Sequence, residues 1–434
     1  MKDRLKKLSQ VPLTILDGDR GVNYPNKSEF QEAGFCLFLN TSNVTKAGFD
    51  FSSTDFVSKE RDTLLRKGKL RRGDVVMTTR GTIGNVAYYG DHVSYEHIRI
   101  NSGMVILRAE AKKLDPYFLY SFLRSDLFKK QTRSQGSGSA QPQLPIGSLR
   151  NIVIPQLDFA DQQDIGKVLS TLDAKIELNN RINEELEGLA KLLYDYWFVQ
   201  FDFPITAAQA AAMGKPHLKG KPYRASGGKM TYNEALKREI PDGWEGENIL
   251  AISEIGGGAT PSKKTPEFWG GAIPFFTPTD AESEPFSLDT EDHITQLGLG
   301  NSATRLYPKG TLFITARGSV GKAMIISKPM AMSQSCYALC PHDGVGSAFL
   351  YFHTLSLMDY LHAKSSGSIF KSIVTNDINF TPAIVPASQS LTAFNEAAEP
   401  MFKSILTHQE YNQQLTELRD WLLPMLMNGQ VTVS

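Results

Sequence analysis

Residues 318–322, with the sequence Gly-Ser-Val-Gly-Lys, have part of the spacing of a phosphate-binding loop. In such a loop, backbone N–H groups surround the phosphates and a following Ser or Thr holds magnesium. Here Ala316 stands where the first glycine belongs, and Ala323 stands where the magnesium ligand belongs. The glycine run at 256–258 also lacks the spacing of a dinucleotide-binding turn. Neither segment therefore predicts a nucleotide site.

Two acidic segments could in principle support catalysis. Asp115 and Pro116 begin a sequence close to the Asp-Pro-Pro-Tyr motif of adenine methyltransferases, but the second proline is missing. An Asp N-cap followed by proline predicts instead a helix that runs to about Arg124. Asp173 and Lys175 have the spacing of a nuclease motif, yet they fall on a predicted helix, where a solvated ion pair is the ordinary explanation. We therefore predict no catalytic residue.

Cys36, Cys336 and Cys340 are too few for a disulfide framework and have no histidine at zinc-ligand spacing. We expect reduced core thiols in a cytoplasmic protein, with no metal site. The basic N-terminus is not followed by the apolar segment of a signal peptide. No apolar run approaches the ~18 residues of a membrane span, so a membrane is not an expected partner.

The net charge of the chain is uninformative about nucleic acid. Its 434 residues include 46 Lys and Arg against 46 Asp and Glu, which gives a formal net charge of zero. A protein of this balance that binds DNA must concentrate its basic residues locally or obtain them from a partner.

The sequence repeats itself. A shift of 237 residues places 14–87 on 251–324 without a gap, and it aligns Gly21 with Gly258 and the Arg-Gly-x-x-Gly segment at 80–84 with that at 317–321. A shift of 231 aligns 116–155 with 347–386. The matches concentrate at Gly, Pro and apolar positions, which indicates one fold used twice with different surfaces.

A third shift, of 229 residues, relates two segments in which apolar residues recur at alternating spacings of four and three. This is the seam of a coiled coil, and Asn183 and Asn412 occupy equivalent polar positions in it, as expected for two helices that pair in a fixed register. Helices packed separately on their own domains are the alternative. Pro400 is expected to start or kink the second helix. The predicted pairing residues are Ile176, Asn183, Leu186, Leu193, Ile405, Asn412, Leu415 and Leu422.

We predict an α+β protein with two similar α/β domains, joined by two long antiparallel helices in a coiled-coil spacer, and an internal pseudo-twofold repeat. Residues 75–78 and 312–315 are predicted strands. The segment at 201–247, rich in proline and lysine, is predicted as a connector whose basic part contacts phosphates or is simply solvated. The predicted parts are domain 1 (1–157), the central helix (158–200), the connector (201–247), domain 2 (248–388) and the C-terminal helix (389–434).

These parts resemble the specificity subunits of type I restriction-modification enzymes. The helix at 169–177 with 183–184 and 196–198 resembles their central spacer, and 418–429 resembles their C-terminal spacer. Residues 240–244, 258–262 and 269–274 resemble the start of a target recognition domain. Residues 80–84 and 137–144 resemble internal motifs, although 365–372 departs from the second of these.

The resemblance implies two target recognition domains, each of which reads one half of a split, asymmetric site in double-stranded DNA. It also implies that the chain carries no cofactor. Two modification subunits would methylate adenine N6 with S-adenosylmethionine, and restriction subunits that use ATP and magnesium would cleave unmethylated DNA. A protein-interaction scaffold and a fragment of a fused methyltransferase-nuclease are the alternatives.

Base contacts are expected from polar loop residues, because Arg matches guanine and Asn or Gln matches adenine in the major groove. Since Arg80 and Arg317 occur in both repeats, phosphate positioning or a structural role is an equal alternative for them. The candidates are Asn40, Thr41, Asn43, Arg80, Thr82, Gln141 and Gln143 in domain 1, and Thr260, Ser262, Lys263, Thr277, Thr279, Asp280, Arg317, Ser319 and Lys371 in domain 2.

Overall fold

The computed structural model describes residues 5–133, 143–364 and 372–433. The chain forms two compact units. Unit 1 consists of residues 1–177 and 413–434, and unit 2 of residues 178–412.

Unit 1 is built on a four-stranded antiparallel sheet in the order β2-β10-β7-β8, accompanied by a three-stranded sheet β6-β3-β9 and the pairs β1-β11 and β4-β5. The strands are β1 (Leu5–Lys7), β2 (Leu13–Asp17), β3 (Cys36–Leu39), β4 (Val44–Thr45), β5 (Gly48–Phe49), β6 (Phe56–Val57), β7 (Val75–Thr78), β8 (Val86–Tyr88), β9 (Ile98–Ile100), β10 (Met104–Ala109) and β11 (Val153–Pro155). The helices are α1 (Lys59–Leu64), α2 (Pro116–Arg124), α3 (Asp126–Arg133), α4 (Ile146–Asn151) and the start of α5 (Phe159–Tyr194).

Unit 2 repeats this plan around a five-stranded sheet in the order β15-β22-β19-β20-β17, with a sheet β18-β16-β21 and the pairs β14-β23 and β12-β13. Its strands are β12 (Met230–Asn233), β13 (Arg238–Pro241), β14 (Glu245–Asn248), β15 (Ser253–Gly257), β16 (Trp269–Phe276), β17 (Phe286–Ser287), β18 (His293–Ile294), β19 (Leu312–Thr315), β20 (Ala323–Ile326), β21 (Ala331–Met332), β22 (Cys336–Pro341) and β23 (Pro382–Val385). Its helices are α6 (Ala207–Ala212), α7 (Gln296–Gly300), α8 (Ser347–Lys364), α9 (Thr375–Phe380) and most of α10 (Ser388–Met427).

The strand registers confirm the internal repeat and correct part of its alignment. Leu107 lies opposite Ile15 and Val75, and Leu339 lies opposite Ile255 and Leu312. Between the central strands, Val75 and Leu312 differ by the expected 237 positions, but Ile15 and Ile255 differ by 240. Gly258 is therefore the counterpart of Gly18, not of Gly21. The slip escapes sequence comparison because the loops between strands tolerate insertions that the sheet register does not.

Local sequence accounts for the predicted elements around the sheet. The predicted strands at 75–78 and 312–315 are β7 and β19, and all their residues are buried. The predicted helix start is also confirmed. Pro116 is the first residue of α2, and the Asp115 carboxylate accepts a hydrogen bond from the Phe118 N–H at 2.8 Å.

The two long helices pair in antiparallel fashion within each unit, as predicted. In unit 2 the Asn179 side chain donates to Asn412 Oδ1 at 2.8 Å, and His408 Nδ1 donates to Asn183 Oδ1 at 2.8 Å. At a shift of 229 residues, Asn179 is equivalent to His408 and Asn183 is equivalent to Asn412. The two polar pairs, Asn179 with Asn412 and His408 with Asn183, are therefore equivalent contacts in the repeat. Ile405 is fully buried and Leu186 and Leu193 pack on the core of unit 2, Leu422 packs on the core of unit 1, and Ile176 and Leu415 are half-buried.

Pro400 neither begins nor ends the second helix, contrary to the expectation that it starts there. α10 begins twelve positions earlier, at Ser388, and passes through Pro400 without a break. Ala398 and Phe402, on either side, are buried in the core of unit 2, while Pro400 is exposed. Packing on both sides outweighs the single backbone hydrogen bond that proline removes, since water can satisfy the freed carbonyl.

Asp173 is not the solvated ion-pair residue that the sequence predicted. Within unit 1 its carboxylate accepts hydrogen bonds from the Tyr117 hydroxyl at 2.6 Å, Arg124 at 2.7 Å and Arg419 at 2.8 Å. The Asp173 side chain is only 18% exposed. Despite this burial, Arg124 and these hydrogen bonds hold the pKa of Asp173 below its usual value. One carboxylate thus joins α2, α5 and α10.

The predicted connector at 201–247 lies in unit 2 and contributes to its core. Phe203 stacks on Tyr223 and Trp244 at centroid distances of 4.6 and 5.0 Å, and Trp244 also contacts Phe198, which lies in the helical turn that follows α5.

Candidate nucleic-acid interface

Four turns of unit 1 meet at one edge of its main sheet. They follow β2 (18–21), β3 (40–43), β7 (80–84) and β9 (101–103), and we call them the turn cluster of unit 1. Strand directions bring them together, because β2 and β7 both run towards the edge from which β10 starts. The Asn101 N–H donates to the Leu39 carbonyl at 3.0 Å, which joins two of the turns.

The turn cluster of unit 2 consists of the equivalent residues 258–261, 277–280, 317–321 and 333–335. Corresponding backbone hydrogen bonds support it. The Arg80 N–H donates to the Gly103 carbonyl and the Arg317 N–H to the Ser335 carbonyl, both at 3.2 Å.

The Arg-Gly-x-x-Gly turn has the same geometry in both units. Gly81 and Gly84 have φ angles of 71° and 87°, and Gly318 and Gly321 have φ angles of 82° and 90°, a region that glycine enters without strain. In unit 1 the Thr78 hydroxyl closes the turn by donating to the Thr82 carbonyl. Thr315 and Ser319 make the equivalent contact in unit 2.

Each turn presents one exposed arginine. Arg80 and Arg317 are exposed, as are Thr82 and Ser319 beside them. The backbone of Arg80 pairs with that of Gln143, and Arg317 pairs in the same way with Ser372. These bridges make Gln143 and Ser372 equivalent at a shift of 229, which corrects the shift of 231 that the sequence alignment gave for this part of the repeat. The structure thus brings the predicted Arg80 and Gln143 together at one edge. The predicted DNA-contact residues Gln141 and Lys371 lie outside the described residues.

The turn at 40–43 contains one residue that differs from its expected role. Asn43 is 2% exposed, and its side-chain amide donates to the carbonyls of Asp50 and Ser53 at 2.9 and 2.7 Å. Its Oδ1 accepts the Asn40 N–H at 3.0 Å. Because these bonds occupy its amide, Asn43 shapes the turn and is not available to DNA. Asn40 and Thr41 remain partly exposed.

The equivalent turn of unit 2 is a connected polar group. The Thr277 hydroxyl lies 2.7 Å from that of Thr279 and donates to Asp280 Oδ2 at 2.7 Å. Asp280 Oδ1 accepts the Glu291 N–H at 2.9 Å. Thr279 is exposed, whereas Thr277 and Asp280 are half-buried, so Thr279 is the most accessible of the three.

Ser262 and Lys263 extend the edge of unit 2. Both side chains are exposed. The Lys263 ammonium lies 5.5 Å from the centre of the Trp269 ring, whose indole N–H donates to the Ser262 carbonyl at 3.1 Å. The tryptophan therefore supports this loop from beneath.

Sequence comparison missed Arg20. It is the counterpart of the predicted Thr260 once the first strands are aligned with the 240-residue shift. The Arg20 guanidinium donates to the Ser102 carbonyl at 3.2 Å, and the Thr260 hydroxyl donates to the Gln334 side chain. Ser102 and Gln334 are equivalent residues of the two turn clusters. The signal present in the sequence was the Gly18/Gly258 alignment.

Basic residues accumulate at the edge of unit 1 although the whole chain is neutral. Arg20, Arg66, Lys67 and Arg80 are all exposed there. Two acidic groups lie among them. Asp17 pairs with Arg20 at 3.3 Å, and Asp19 is buried and accepts the N–H groups of Gly21 and Arg66 at 2.9 and 2.7 Å. The Gly21 hydrogen bond is the main cause that keeps the pKa of Asp19 below its usual value, so its carboxylate organises the loop.

The chain matches the family model of the type I restriction-modification DNA specificity domain at residues 16–188 and 241–390. The chain belongs to this family. The two matched segments correspond to the two repeats, and they confirm the resemblance inferred from the sequence motifs.

Individual relatives agree with the family. The chain is 26% identical to the type I restriction enzyme HindI specificity subunit of Haemophilus influenzae, over 95% of this chain and 98% of that protein. It is 24% identical to the MjaIX specificity subunit of Methanocaldococcus jannaschii, over 83% of this chain and 78% of that protein. The fold is similar to that of a type I restriction-modification S subunit from M. genitalium, with a TM-score of 0.53, 14% identity and coverage of 98% of this chain and 95% of that one.

Two further findings concern the described part of the chain. None of its helices combines the length and apolar character needed to cross a bilayer. Its His, Cys, Asp and Glu residues form no group of three that could hold a metal ion.

Proposed function

We propose that this chain is the non-catalytic DNA-reading subunit of a type I restriction-modification enzyme, and that each turn cluster reads one half of a split, asymmetric site. The observation that carries the proposal is a scaffold present twice with different side chains on it. The equivalent exposed or partly exposed positions hold Arg20, Asn40 and Gln143 in unit 1, and Thr260, Thr277 and Ser372 in unit 2. Different side chains on one scaffold read different bases.

The shared arginines act differently from these variable positions. Arg80 and Arg317 occupy the same turn in both units, so they contact phosphates, which are the same on every DNA sequence. The candidates for base contact are Arg20, Asn40, Thr41, Thr82, Gln141 and Gln143 in unit 1, and Thr260, Ser262, Lys263, Thr277, Thr279, Asp280, Ser319 and Lys371 in unit 2.

Catalysis belongs to the partners in this proposal. Two modification subunits, which use S-adenosylmethionine, dock on the paired helices and methylate adenine N6 in the site that this chain selects. Restriction subunits driven by ATP, with magnesium, cleave DNA that lacks the methyl group. The protein works in the cytoplasm, where these cofactors and DNA are present.

The test is to express the chain with its modification subunits and map the methylated adenines across genomic DNA. A split recognition sequence with two unequal halves is expected. Gln143→Ser introduces the residue of the other repeat and should relax one half only, and the matched variant Ser372→Gln should alter only the other half. Methylation without a split motif would refute the proposal. A motif that stays unchanged in both variants, and also after the remaining loop residues are exchanged between the units, would refute it as well.

A further inference from the structure

Unit 1 contains a cavity of about 430 Å³ that is lined by none of the side chains proposed to contact bases. Its walls come from residues 83–86, from α2 and α3, and from α5 and α10. All of these residues belong to unit 1. The volume falls in the range of sites that take small ligands.

The repeat shows that the fold does not require this cavity. Ser121 and Leu423 line it in unit 1. Their counterparts in unit 2, at shifts of 231 and 229, are Phe352 and Tyr194. Those two rings lie 5.7 Å apart and are buried in the core of unit 2. Larger side chains thus occupy in one unit the space that smaller ones leave in the other.

The cavity also carries more basic residues than the equivalent positions of unit 2. It is lined by four cationic side chains and one acidic one, which are Lys46, Arg124, Lys129, Arg419 and Asp420. The counterparts of the four basic residues in unit 2 are Ser283, Leu355, Tyr360 and Ala190, and none of them carries a charge. The counterpart of Asp420 is Lys191, which pairs with Asp195 at 2.5 Å, so unit 2 holds one paired cation at these positions where unit 1 holds four.

Arg124 is held in place in the cavity wall. Its Nη1 donates to Asp173 at 2.7 Å, and its guanidinium lies 4.9 Å from the centre of the Tyr120 ring. Arg419 shares the same carboxylate at 2.8 Å. Asp420 also pairs with Arg419 at 2.9 Å, and Lys129 lies 3.7 Å from Asp126. The four cations Lys46, Arg124, Lys129 and Arg419 thus face three carboxylates, which leaves one net positive charge at the cavity.

We propose that this cavity binds a small amphipathic anion, in which a phosphate or carboxylate is attached to a ring-shaped body. Arg124 holds the anionic group together with Lys46 and Lys129, and the ring packs against Phe128, Leu169 and Leu423. A planar guanidinium in a fixed position suits a phosphate or carboxylate. A free nucleotide and a backbone phosphate of DNA share this chemistry. The site shares Ile83 and Gly84 with the turn cluster, but its lining includes none of the side chains proposed to contact bases.

The experiment titrates the full chain with adenosine monophosphate and with inorganic phosphate, and measures heat and thermal stability. The nucleotide should bind saturably and more tightly than phosphate alone, because the ring adds apolar contact. Addition of a short DNA duplex distinguishes the sources: displacement of the nucleotide identifies a backbone phosphate as the occupant, and undisturbed binding identifies a free anion. Absence of saturable nucleotide binding up to about 1 mM would overturn the proposal.

Two variants built from the residues of unit 2 make the result specific. Ser121→Phe with Leu423→Tyr fills the cavity and should abolish nucleotide binding, while circular dichroism and the melting temperature report that the chain remains folded. Arg124→Leu should weaken binding about tenfold or more and reduce the preference for the nucleotide over adenosine. If the filled variant folds and still binds, or if Arg124→Leu leaves affinity unchanged, the cavity is not the site.

Discussion

At the residue scale, Arg80 separates positioning from base reading. The arginine is exposed on a turn that the chain uses twice, so its role in the proposed function is the one that both half-sites share. Arg80→Ala should weaken binding by a similar factor on all sequences and lower the dependence of log Kd on log salt by about one unit. Fluorescence anisotropy at several salt concentrations measures both.

Lys113→Ala is the matched control for Arg80. Lys113 is exposed and pairs with Glu110. Both residues follow the last residue of β10, whereas the turn cluster lies at the edge where β10 begins. Removal of this charge should leave the salt dependence almost unchanged. A change in the preferred base on substitution of Arg80 would show that this arginine reads sequence.

His353 makes the stability of unit 2 dependent on pH. Its ring is fully buried against Phe349 and lies 2.9 Å from the Tyr194 hydroxyl, and burial lowers its pKa to about 4. The unfolded chain takes up a proton near pH 6.5, whereas the folded chain resists protonation down to about pH 4. The stabilisation is therefore complete above pH 6.5 and decreases as pH falls through that interval, by up to about 3 kcal/mol.

Urea unfolding at pH 7.5 and 5 measures this effect. His353→Phe keeps the ring contact and removes the titrating group, so the difference between the two pH values should become smaller than in the parent protein. His217→Gln, which changes an exposed histidine, should preserve the full difference. An unaltered pH dependence in His353→Phe would exclude His353 as the cause.

At the element scale, Asp173 joins three helices of unit 1 through buried hydrogen bonds. Asp173→Asn leaves two guanidinium groups without their carboxylate, which should lower the free energy of unfolding by about 3 kcal/mol. A double-mutant cycle with Arg419→Ala, followed by urea unfolding, should show strong coupling between the two positions.

Asp420 provides the matched comparison on the next residue of α10. Its carboxylate pairs with the same Arg419 at 2.9 Å, but the side chain is 63% exposed. Asp420→Asn should therefore cost less than about 1 kcal/mol. Equal effects of the Asp173 and Asp420 substitutions would show that burial does not set the strength of this network.

At the scale of the whole molecule, the spacer hypothesis remains a prediction. The seam from Ile165 to Trp197 spans roughly 48 Å at ~1.5 Å per residue, compared with ~34–36 Å between half-sites one DNA turn apart. A four-residue insertion in α5 adds about 6 Å of helix, and should lengthen the unread gap between the half-sites by about one or two base pairs.

Mapping of methylated adenines measures that gap. The same four residues inserted beside Gly227, in an exposed turn with φ of 82°, should leave it unchanged. If the insertion in α5 leaves the gap as it was, the helices do not set the separation.

The sequence by itself determined the internal repeat, the coiled-coil pattern of the two long helices and the family. These features are visible in the sequence because they depend on periodic apolar residues or on glycines that a turn of positive φ requires. Both kinds of pattern are local and can be recognised without knowledge of distant contacts. The strands at 75–78 and 312–315 and the helix start at Asp115 were predicted for the same reason.

Only the tertiary structure decided the roles of individual polar residues. Arg20 emerged as the counterpart of Thr260 because cross-strand hydrogen bonds, and not similarity in the loops, set the alignment. Asp173 proved to be buried because its partners Arg124 and Arg419 lie 49 and 246 positions away in the chain. The basic cavity likewise exists only where α2, α3, α5 and α10 meet. Burial and hydrogen-bond partners arise from contacts between segments distant in sequence, which no local pattern encodes.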